Sequence, residues 1–202
     1  MLIESLAVID LLWDADEYVS YEGEYFEYDD VRLYTQPKEP LPKHCAARGP
    51  RSAKLAGEHA GNLMIAVPAD HVERILSPFE EGLAAGREPH DAHVSNQFAA
   101  HVGDPDRLVA ELRKRGEHTP HDAEFDNPDP RDVRATADAE LAEMSNAEIR
   151  EEANIKADPM DPIDQLKTME DAGVTRVIVI LKVGDYEATI DALAEEVVPA
   201  FE

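Results

Sequence analysis

Two arginines flank a Gly-Pro pair in the first third of the chain, and residues of these types at this spacing could bind a phosphate group. Pro50 suits the first turn of a helix, and the free N–H groups and dipole of a helix N-terminus attract anions. Arg48 and Arg51 would add positive charge. The same sequence would also form a tight structural turn, so the residues alone leave both interpretations open. The candidate segment consists of Ala46, Ala47, Arg48, Gly49, Pro50 and Arg51.

A strand-helix-strand pattern surrounds this segment. Residues 45–47 are apolar and extended in character, and small side chains at helical spacing follow at residues 53–60. Gly61 stands where a helix commonly ends in a left-handed residue, and residues 63–67 have the composition of a buried strand. A parallel βαβ unit is the expected product.

The alternation of strands and helices continues toward the C-terminus. We expect a helix between Asp70 and Gly86, a strand at residues 93–102 and a helix that begins at Asp104-Pro105. Residues 117–152 interrupt the rhythm, and loops and short surface helices are expected there, with the clearest helix starts at Asp129-Pro130 and at the capping box Ser145-Asn146-Ala147-Glu148. The strongest strand is predicted at residues 174–181, and an amphipathic helix should follow it.

Two elements are predicted before the βαβ unit. An apolar stripe indicates a helix at residues 1–13 with Glu4 and Asp10 on its outer side. Tyrosines around Glu22-Gly23-Glu24 predict a β-hairpin at residues 18–34, in which they should make ordinary hairpin contacts rather than stack on a base or cofactor. With a length suited to one folding unit, residues 1–202 are interpreted as a single α/β domain.

The composition excludes several classes of partner. The chain has 44 acidic and 19 basic residues, and its formal charge of −25 argues against nucleic acid or an anionic membrane. Acidic residues spread along the whole chain are typical of solvated surfaces in cytosolic proteins of salt-loving organisms. A single cysteine cannot form an internal disulfide, so a cytoplasmic location is expected. No signal peptide or membrane span is visible in the sequence.

Several catalytic or metal-binding patterns are not found. His90 with His93, and His118 with His121, do not have clean helical ligand spacing, and no cysteine pair supports a zinc site, so no metal is predicted. A Gly-x-Ser-x-Gly elbow, a P-loop and a dinucleotide fingerprint are all missing from the sequence. The catalytic residues therefore remain unassigned.

Three longer runs carry a family resemblance. They are VIDLLWDADEYVSYEGEYFEYDDVRLYTQPKEPLP, AARGPRSAKLAGEHAGNLMIAV and NIKADPMDPIDQLKTMEDAGVTRVIVILKVGDYEATIDALAEEVVPAF. In this order they resemble the luciferase-like superfamily of flavin- and deazaflavin-dependent oxidoreductases. The most similar branch uses coenzyme F-420 and includes the F-420-dependent glucose-6-phosphate dehydrogenases.

The resemblance implies the C-terminal half of a luciferase-type (β/α)₈ TIM barrel, with the N-terminal hairpin as an insertion beside it. The last four barrel strands would lie near Cys45, Leu63, Val94 and Val177. Family members carry a long segment before the first helix seen here, so truncation at the N-terminus is expected. Four strands cannot close a barrel, and their exposed edges favour a homo-oligomer or a companion chain.

The chemistry that the resemblance implies is hydride transfer with a small-molecule substrate, using F-420 or, alternatively, FMN. In the family the segment Ala46 to Arg51 approaches the cofactor phosphate. Two residues depart from the family pattern: Arg48 stands where Gly or Ser is usual, and Asn62 stands where Gly is usual. The family's acid-base residues lie on earlier strands that have no counterpart here. In the glucose-6-phosphate enzymes a lysine binds the sugar phosphate, and the corresponding position here is near Ala69. The resemblance therefore argues against a sugar phosphate as substrate. The alternative function is a non-catalytic cofactor-binding or assembly protein.

Overall fold

The structure, a computed structural model, describes residues 1–39, 41–86, 92–116, 129–156, 158, 160–181 and 183–201. The helices are α1 (Leu2–Asp14), α2 (Pro50–His59), α3 (Val72–Ala85), α4 (Pro105–Arg115), α5 (Pro130–Glu143), α6 (Asn146–Glu152), α7 (Ile163–Asp171) and α8 (Tyr186–Ala192). The strands are β1 (Val19–Glu22), β2 (Glu27–Val31), β3 (Lys43–Ala46), β4 (Gly61–Ile65), β5 (Val94–Ala99), β6 (His101–Val102), β7 (Ile155–Lys156) and β8 (Arg176–Ile180).

The main sheet has four strands in the order β3-β4-β5-β8. β3 pairs in parallel with β4, and β4 pairs in parallel with β5, so that Cys45 lies beside Leu63 and Leu63 beside Val94. Helix α2 connects β3 to β4, which confirms the predicted βαβ unit. Both strands begin two residues earlier than predicted because the pairing already starts at Lys43 and Gly61. Gly61 has a φ of 77°, the left-handed conformation expected after α2.

The chain divides into two compact units, Met1–Asn96 with Met169–Val177, and Gln97–Thr168 with Ile178–Glu202. In the first unit, α2 lies directly against α3. A Cβ atom on Gly57 would stand 2.3 Å from the carbonyl oxygen of Phe79, and one on Gly82 would stand 2.1 Å from that of Lys54. The two glycines therefore allow a backbone-to-backbone approach that no larger residue permits, and this approach fixes the position of α2.

The second unit has its own apolar core. The buried side chains that form it are Leu108, Val109, Leu112, Leu141, Ile149, Ile155 and Val183. The Arg113 guanidinium donates hydrogen bonds to the carbonyl oxygens of Leu141 (2.7 Å) and Met144 (2.6 Å), which satisfies carbonyl groups at the end of α5. Helix starts predicted at Asp104-Pro105, Asp129-Pro130 and Ser145 are confirmed, and in each the predicted residue accepts a first-turn amide.

The first helix departs from its prediction. Glu4 was expected on the outer side, but its carboxylate accepts hydrogen bonds from the amides of Tyr25 (3.0 Å) and Phe26 (2.9 Å) at the tip of the β1–β2 hairpin. Asp10 pairs with Lys43 of β3 at 2.6 Å. The apolar residue Leu2 is exposed, whereas Leu6 and Val8 are buried. Because polar side chains of α1 have specific partners in neighbouring elements, the apolar stripe alone misassigned its inner face.

The C-terminal helix also departs from its prediction. α8 ends at Ala192 and continues as a π-helical turn, Leu193–Val197, followed by a 3₁₀ turn, Val198–Phe201. These turns change the angular spacing of side chains, so the predicted apolar stripe does not keep to one face. Ile190 is 55% exposed, whereas Val197 is buried. Within the described ranges, none of the helices has both the length and the apolar character that crossing a membrane requires.

Candidate functional site

The candidate phosphate-binding segment lies at the carboxyl end of β3 and runs into α2. Ala46 is the last residue of β3, Gly49 is the N-cap of α2, and Pro50 is its first residue. In α/β sheets, ligands bind outside the carboxyl ends of parallel strands. The sequence pattern therefore placed the segment correctly relative to the strand and helix, and the candidate site lies within the first unit.

The backbone amides of the segment are not equivalent. The amide of Ala47 donates to the carbonyl oxygen of Met64 at 3.0 Å, so it serves the sheet. Pro50 has no N–H, and the amide of Gly49 makes a long contact of 3.4 Å with Oγ of Ser52. Arg51 and Ser52 occupy the first turn, where helix geometry supplies no backbone acceptor for an amide. The donors suited to an anion therefore belong to the helix end of the segment.

The N-terminus of α2 also has no capping side chain, because its N-cap is a glycine. Helices α4, α6 and α8 instead use Asp104, Ser145 and Asp185 as caps, whose side-chain oxygens accept first-turn amides. A ligand at α2 would meet no carboxylate in the capping position. The local chemistry of this helix start therefore suits a phosphate oxygen.

Gly49 is not required by any contact within the described part of the chain. Its φ of −156° is extended backbone that any residue adopts, and a Cβ built on it would meet nothing within 4 Å. A glycine is useful there when a second molecule approaches the backbone closely. The segment thus has open space directly over the N-cap, which is the fit expected of a phosphate-binding loop.

The two arginines lie at the surface. Arg48 and Arg51 are exposed, as is Ala46, whereas Ala47 is only 4% exposed. Guanidinium groups bind phosphate oxygens through charge-assisted hydrogen bonds, and both arginines beside this helix N-terminus are of that chemical type. Among the six candidate residues, Ala47 is buried and bonded to the sheet, whereas Arg48 and Arg51 are exposed and Gly49 has open space beside it.

Two residues that hold the segment in place were not predicted as part of the site. The Asn62 side-chain amide donates to the carbonyl oxygen of Lys43 (3.0 Å), and its carbonyl accepts from the amide of His93 (2.9 Å), so it ties β3 to the start of β5. Ser52 Oγ donates to the carbonyl oxygen of Gly49 at 3.0 Å. The departure from glycine at position 62 was the sequence signal, but its partners depend on strand pairing.

Cys45 immediately precedes the segment, but its thiol is not suited to a catalytic role. The side chain is buried, and this burial raises the pKa of the Cys45 thiol, opposed by the positive charge of Lys43. A thiol that retains its proton is a poor nucleophile. Cys45 is therefore part of the packed strand β3, where it faces Leu63 in the neighbouring strand.

A cavity with a volume of about 270 Å³ lies within the second unit. It is lined by residues at the starts of α4 and α8, including Asp104, Arg107 and Asp185. Both N-cap carboxylates already accept first-turn amides, from Arg107 at 2.8 Å and from Ala188 at 3.1 Å. Two carboxylates in these positions oppose a phosphate, so this cavity is the weaker candidate for an anion.

Of the four histidines considered as metal ligands, one lies within the described residues and three lie outside them. Across the described ranges, no group of three or more His, Cys, Asp and Glu side chains is placed to hold a metal ion. His93 precedes β5, whereas His90, His118 and His121 lie outside the described residues. The expectation that the chain binds no metal stays a prediction.

Comparison with known proteins gives a consistent result. An F-420-dependent hydroxymycolic acid dehydrogenase of Mycobacterium tuberculosis is 30% identical over 85% of this chain and 46% of its own length. An F-420-dependent glucose-6-phosphate dehydrogenase of Intrasporangium calvum is 24% identical over 98% of this chain and 60% of its own length. This chain thus spans about half to three fifths of these relatives.

Among solved structures, an F-420-dependent secondary alcohol dehydrogenase in complex with an F-420-acetone adduct superimposes with a TM-score of 0.80 at 27% identity. The match covers 100% of this chain and 61% of that protein. The α/β fold, with its parallel sheet and surrounding helices, is therefore the luciferase-like fold. The sequence profile of luciferase-like monooxygenases matches residues 1–200, so this chain belongs to the luciferase-like monooxygenase family.

Proposed function

We propose that this chain is an F-420-dependent oxidoreductase component that transfers hydride to or from a small organic molecule. The observation that carries the proposal is the superposition of this chain on 61% of a secondary alcohol dehydrogenase in complex with an F-420-acetone adduct. The dehydrogenase relatives support the same cofactor. FMN is the alternative cofactor, because the family also includes flavin enzymes.

The proposed cofactor site is the segment Ala46, Ala47, Arg48, Gly49, Pro50 and Arg51. F-420 supplies a deazaflavin that accepts or donates hydride when bound. This chain would hold the cofactor phosphate through first-turn amides of α2 and the guanidinium groups of Arg48 and Arg51. The open space over Gly49 and the missing side-chain cap support this role. Ala47 would fix the loop through its hydrogen bond to Met64.

The proposed substrate class is a small alcohol or the corresponding ketone, the class named by the superimposed structure. Ala69 begins the short 3₁₀ turn Ala69–His71 after β4, near the position where the family resemblance implies a phosphate-binding lysine in glucose-6-phosphate enzymes. An alanine provides no charge for a sugar phosphate. A sugar phosphate is therefore the less favoured substrate, and no residue of this chain is assigned to proton transfer.

The proposed architecture is the C-terminal half of a (β/α)₈ barrel within one domain, residues 1–202, with the β1–β2 hairpin beside it and residues 117–152 as an insertion. The order β3-β4-β5-β8 and the partial coverage of longer relatives support this arrangement. The proposed partner is a second copy of this chain or a companion chain. The excess of acidic residues supports the proposal that the protein functions in a salt-rich cytoplasm.

A second candidate function is cofactor binding or assembly without catalysis. It is favoured by the fact that the chain spans only 46% to 60% of the curated relatives described above. General acid-base groups typically contribute about 10²- to 10⁴-fold to a rate. If these groups belong to another polypeptide, this chain would bind the cofactor but would not turn over alone.

Titration and turnover measurements distinguish these functions. F-420 and FMN would be titrated into the wild-type chain and an Arg51→Glu variant by fluorescence, and oxidation of 2-propanol and glucose 6-phosphate would then be followed. Weaker F-420 binding by the variant supports the phosphate site. Turnover of 2-propanol supports the enzyme, whereas binding without turnover supports the second candidate. Equal F-420 affinity of the wild type and the variant would show that the segment Ala46 to Arg51 does not bind the cofactor phosphate.

A further inference from the structure

We propose that Asn96 is a positioning residue for the cofactor site: it holds the carboxyl end of β4 in place and thereby sets how tightly the segment Ala46 to Arg51 binds a phosphate. The proposal rests on the proposed function, in which this segment binds F-420. Asn96 lies in β5, within the first unit, and it is fully buried, with 0% exposure. It lies outside the segment and acts on a ligand only through the backbone that it binds.

The side chain of Asn96 takes the place of a strand partner for Val67. Val67 lies two residues beyond Ile65, the last residue of β4. Its amide donates to Oδ1 of Asn96 at 3.2 Å, and its carbonyl oxygen accepts from Nδ2 at 3.0 Å. A carboxamide carries a donor and an acceptor side by side, as a peptide group does. Asn96 therefore extends the pairing of β4 beyond the backbone pair of Ile65 with Asn96.

The burial of Asn96 indicates that these bonds are what its residue type provides. A buried amide is costly unless it is hydrogen-bonded, and an apolar residue of similar size would avoid that cost. Nδ2 also lies 3.5 Å from the sulfur of Met169, so both polar atoms of the carboxamide have partners. A buried polar group with all its partners in place is held rigidly. Asn96 therefore fixes Val67 in one position.

The end of β4 in turn holds the phosphate segment. Ala46 pairs with Met64, and the amide of the next residue, Ala47, donates to the carbonyl oxygen of Met64 at 3.0 Å. Met64 lies three residues before Val67. Chain segments at the ends of elements open locally at a lower free energy than the core of a strand. The bonds at Val67 therefore suppress an opening of β4 that would otherwise reach Met64 and release Ala47.

Release of Ala47 would disturb the phosphate site while α2 stays in place. Helix α2 is fixed separately, by its close approach to α3 at Gly57 and Gly82. A displacement at Ala47 would then move Arg48 and the amide of Gly49 relative to the first turn of α2. A phosphate bound by both groups of donors would lose part of its contacts. The expected consequence is a specific loss of phosphate affinity rather than a general loss of structure.

The first test compares wild type with Asn96→Ala, by fluorescence titration with F-420 and with the deazaflavin riboside that lacks the phosphate. The preference of wild type for F-420 should fall by about 10-fold or more in the variant, the loss expected for one hydrogen bond to a charged group. The ratio of the two dissociation constants is the informative quantity. Partial unfolding would weaken the binding of both ligands equally and leave this ratio unchanged.

Thr175→Val is the matched control. The Thr175 hydroxyl also bonds both backbone groups of one residue, since it accepts from the amide of Val94 at 3.0 Å and donates to its carbonyl oxygen at 3.3 Å. Thr175 immediately precedes β8, and β4 and β5 lie between β8 and β3 in the sheet. Thr175→Val should lower the free energy of unfolding and leave the preference for F-420 unchanged.

The second test needs no variant. If Asn96 couples Val67 to the phosphate site, reciprocity requires that a bound phosphate stabilises the bonds between Val67 and Asn96. In the wild-type chain, saturating F-420 should slow hydrogen exchange of the Val67 amide, followed by NMR, more than the saturating riboside does. This measurement decides the matter even where Asn96→Ala fails to fold.

The outcomes separate this proposal from the cofactor site on which it rests. A wild-type chain without a preference for F-420 would overturn both. A preference that Arg51→Glu removes and Asn96→Ala retains would overturn the role of Asn96 alone. The same holds if Thr175→Val lowers the preference as much as Asn96→Ala does, or if the Val67 amide exchanges equally fast with F-420 and with the riboside.

Discussion

Replacing Gly49 with alanine separates the two interpretations of the βα turn. In the folded chain a Cβ at position 49 meets nothing within 4 Å, and the φ of −156° is open to alanine. Alanine is a poorer N-cap than glycine by roughly 0.5–1 kcal/mol. Restricting the unfolded chain returns about 0.4–1 kcal/mol. The free energy of unfolding should therefore change by less than about 1 kcal/mol.

The effect on binding should be larger. A methyl group over the N-cap would hold a phosphate away from the first-turn amides of α2, and each hydrogen bond to a charged group is worth about 1.5–3 kcal/mol. Loss of one such bond corresponds to a roughly 10- to 150-fold weaker affinity for F-420. Fluorescence titration measures this change, and a thermal melt measures stability in the same preparation.

Gly86→Ala is the matched control, because a Cβ there makes only contacts of 3.4 Å or more, at the end of α3. It should leave the affinity for F-420 unchanged. If Gly49→Ala is stable and binds F-420 as tightly as wild type, the turn is purely structural and the N-terminus of α2 does not bind the phosphate. A large loss of stability in Gly49→Ala would contradict the open space over the N-cap.

Three further outcomes are expected. The melting temperature should rise with potassium chloride because salt screens a formal charge of −25, and equal melting temperatures in dilute buffer and 2 M salt would contradict this. Gly82→Ala should destabilise the chain by about 3 kcal/mol or more in urea unfolding, since its Cβ would stand 2.1 Å from the carbonyl oxygen of Lys54; a neutral result would disprove the close α2–α3 approach. Burial raises the pKa of the Cys45 thiol, so the folded state holds this proton to a higher pH than the unfolded state does. The contribution of the thiol to the free energy of unfolding is therefore complete below the unfolded pKa of about 8.5, and it falls as the pH rises above that value. Urea unfolding of wild type and Cys45→Ala should show this difference, and parallel pH profiles would contradict it.

Local signals predicted the elements that carry the candidate site. Pro50 after a short apolar run indicated the start of α2, and Gly61 indicated its end, and both positions are confirmed. These signals act within a few residues, so the sequence contains them directly. Both strands begin two residues earlier than predicted, and β3 and β4 also end earlier, at Ala46 and Ile65, because the pairing of Lys43 with Gly61 depends on residues far apart in the chain.

Long-range partners account for what the sequence could not provide. Asn96 illustrates this limit: its side chain exchanges hydrogen bonds with the backbone of Val67, at 3.2 Å from the amide and 3.0 Å to the carbonyl oxygen. Within the strand pattern, Asn96 looked like any polar residue. Glu4 was likewise placed on an outer face, although its carboxylate binds the hairpin tip. Such assignments require the tertiary structure.

The central claim is that the segment Ala46 to Arg51 binds the phosphate of a deazaflavin. Its most direct test is a parallel titration of the chain, in 2 M potassium chloride, with F-420 and with the deazaflavin riboside that lacks the phosphate and its extension. F-420 should bind more tightly than the riboside, and Arg51→Glu should remove this preference without changing the affinity for the riboside. Equal affinity of the wild-type chain for both ligands, or a preference that survives in Arg51→Glu, would contradict the claim.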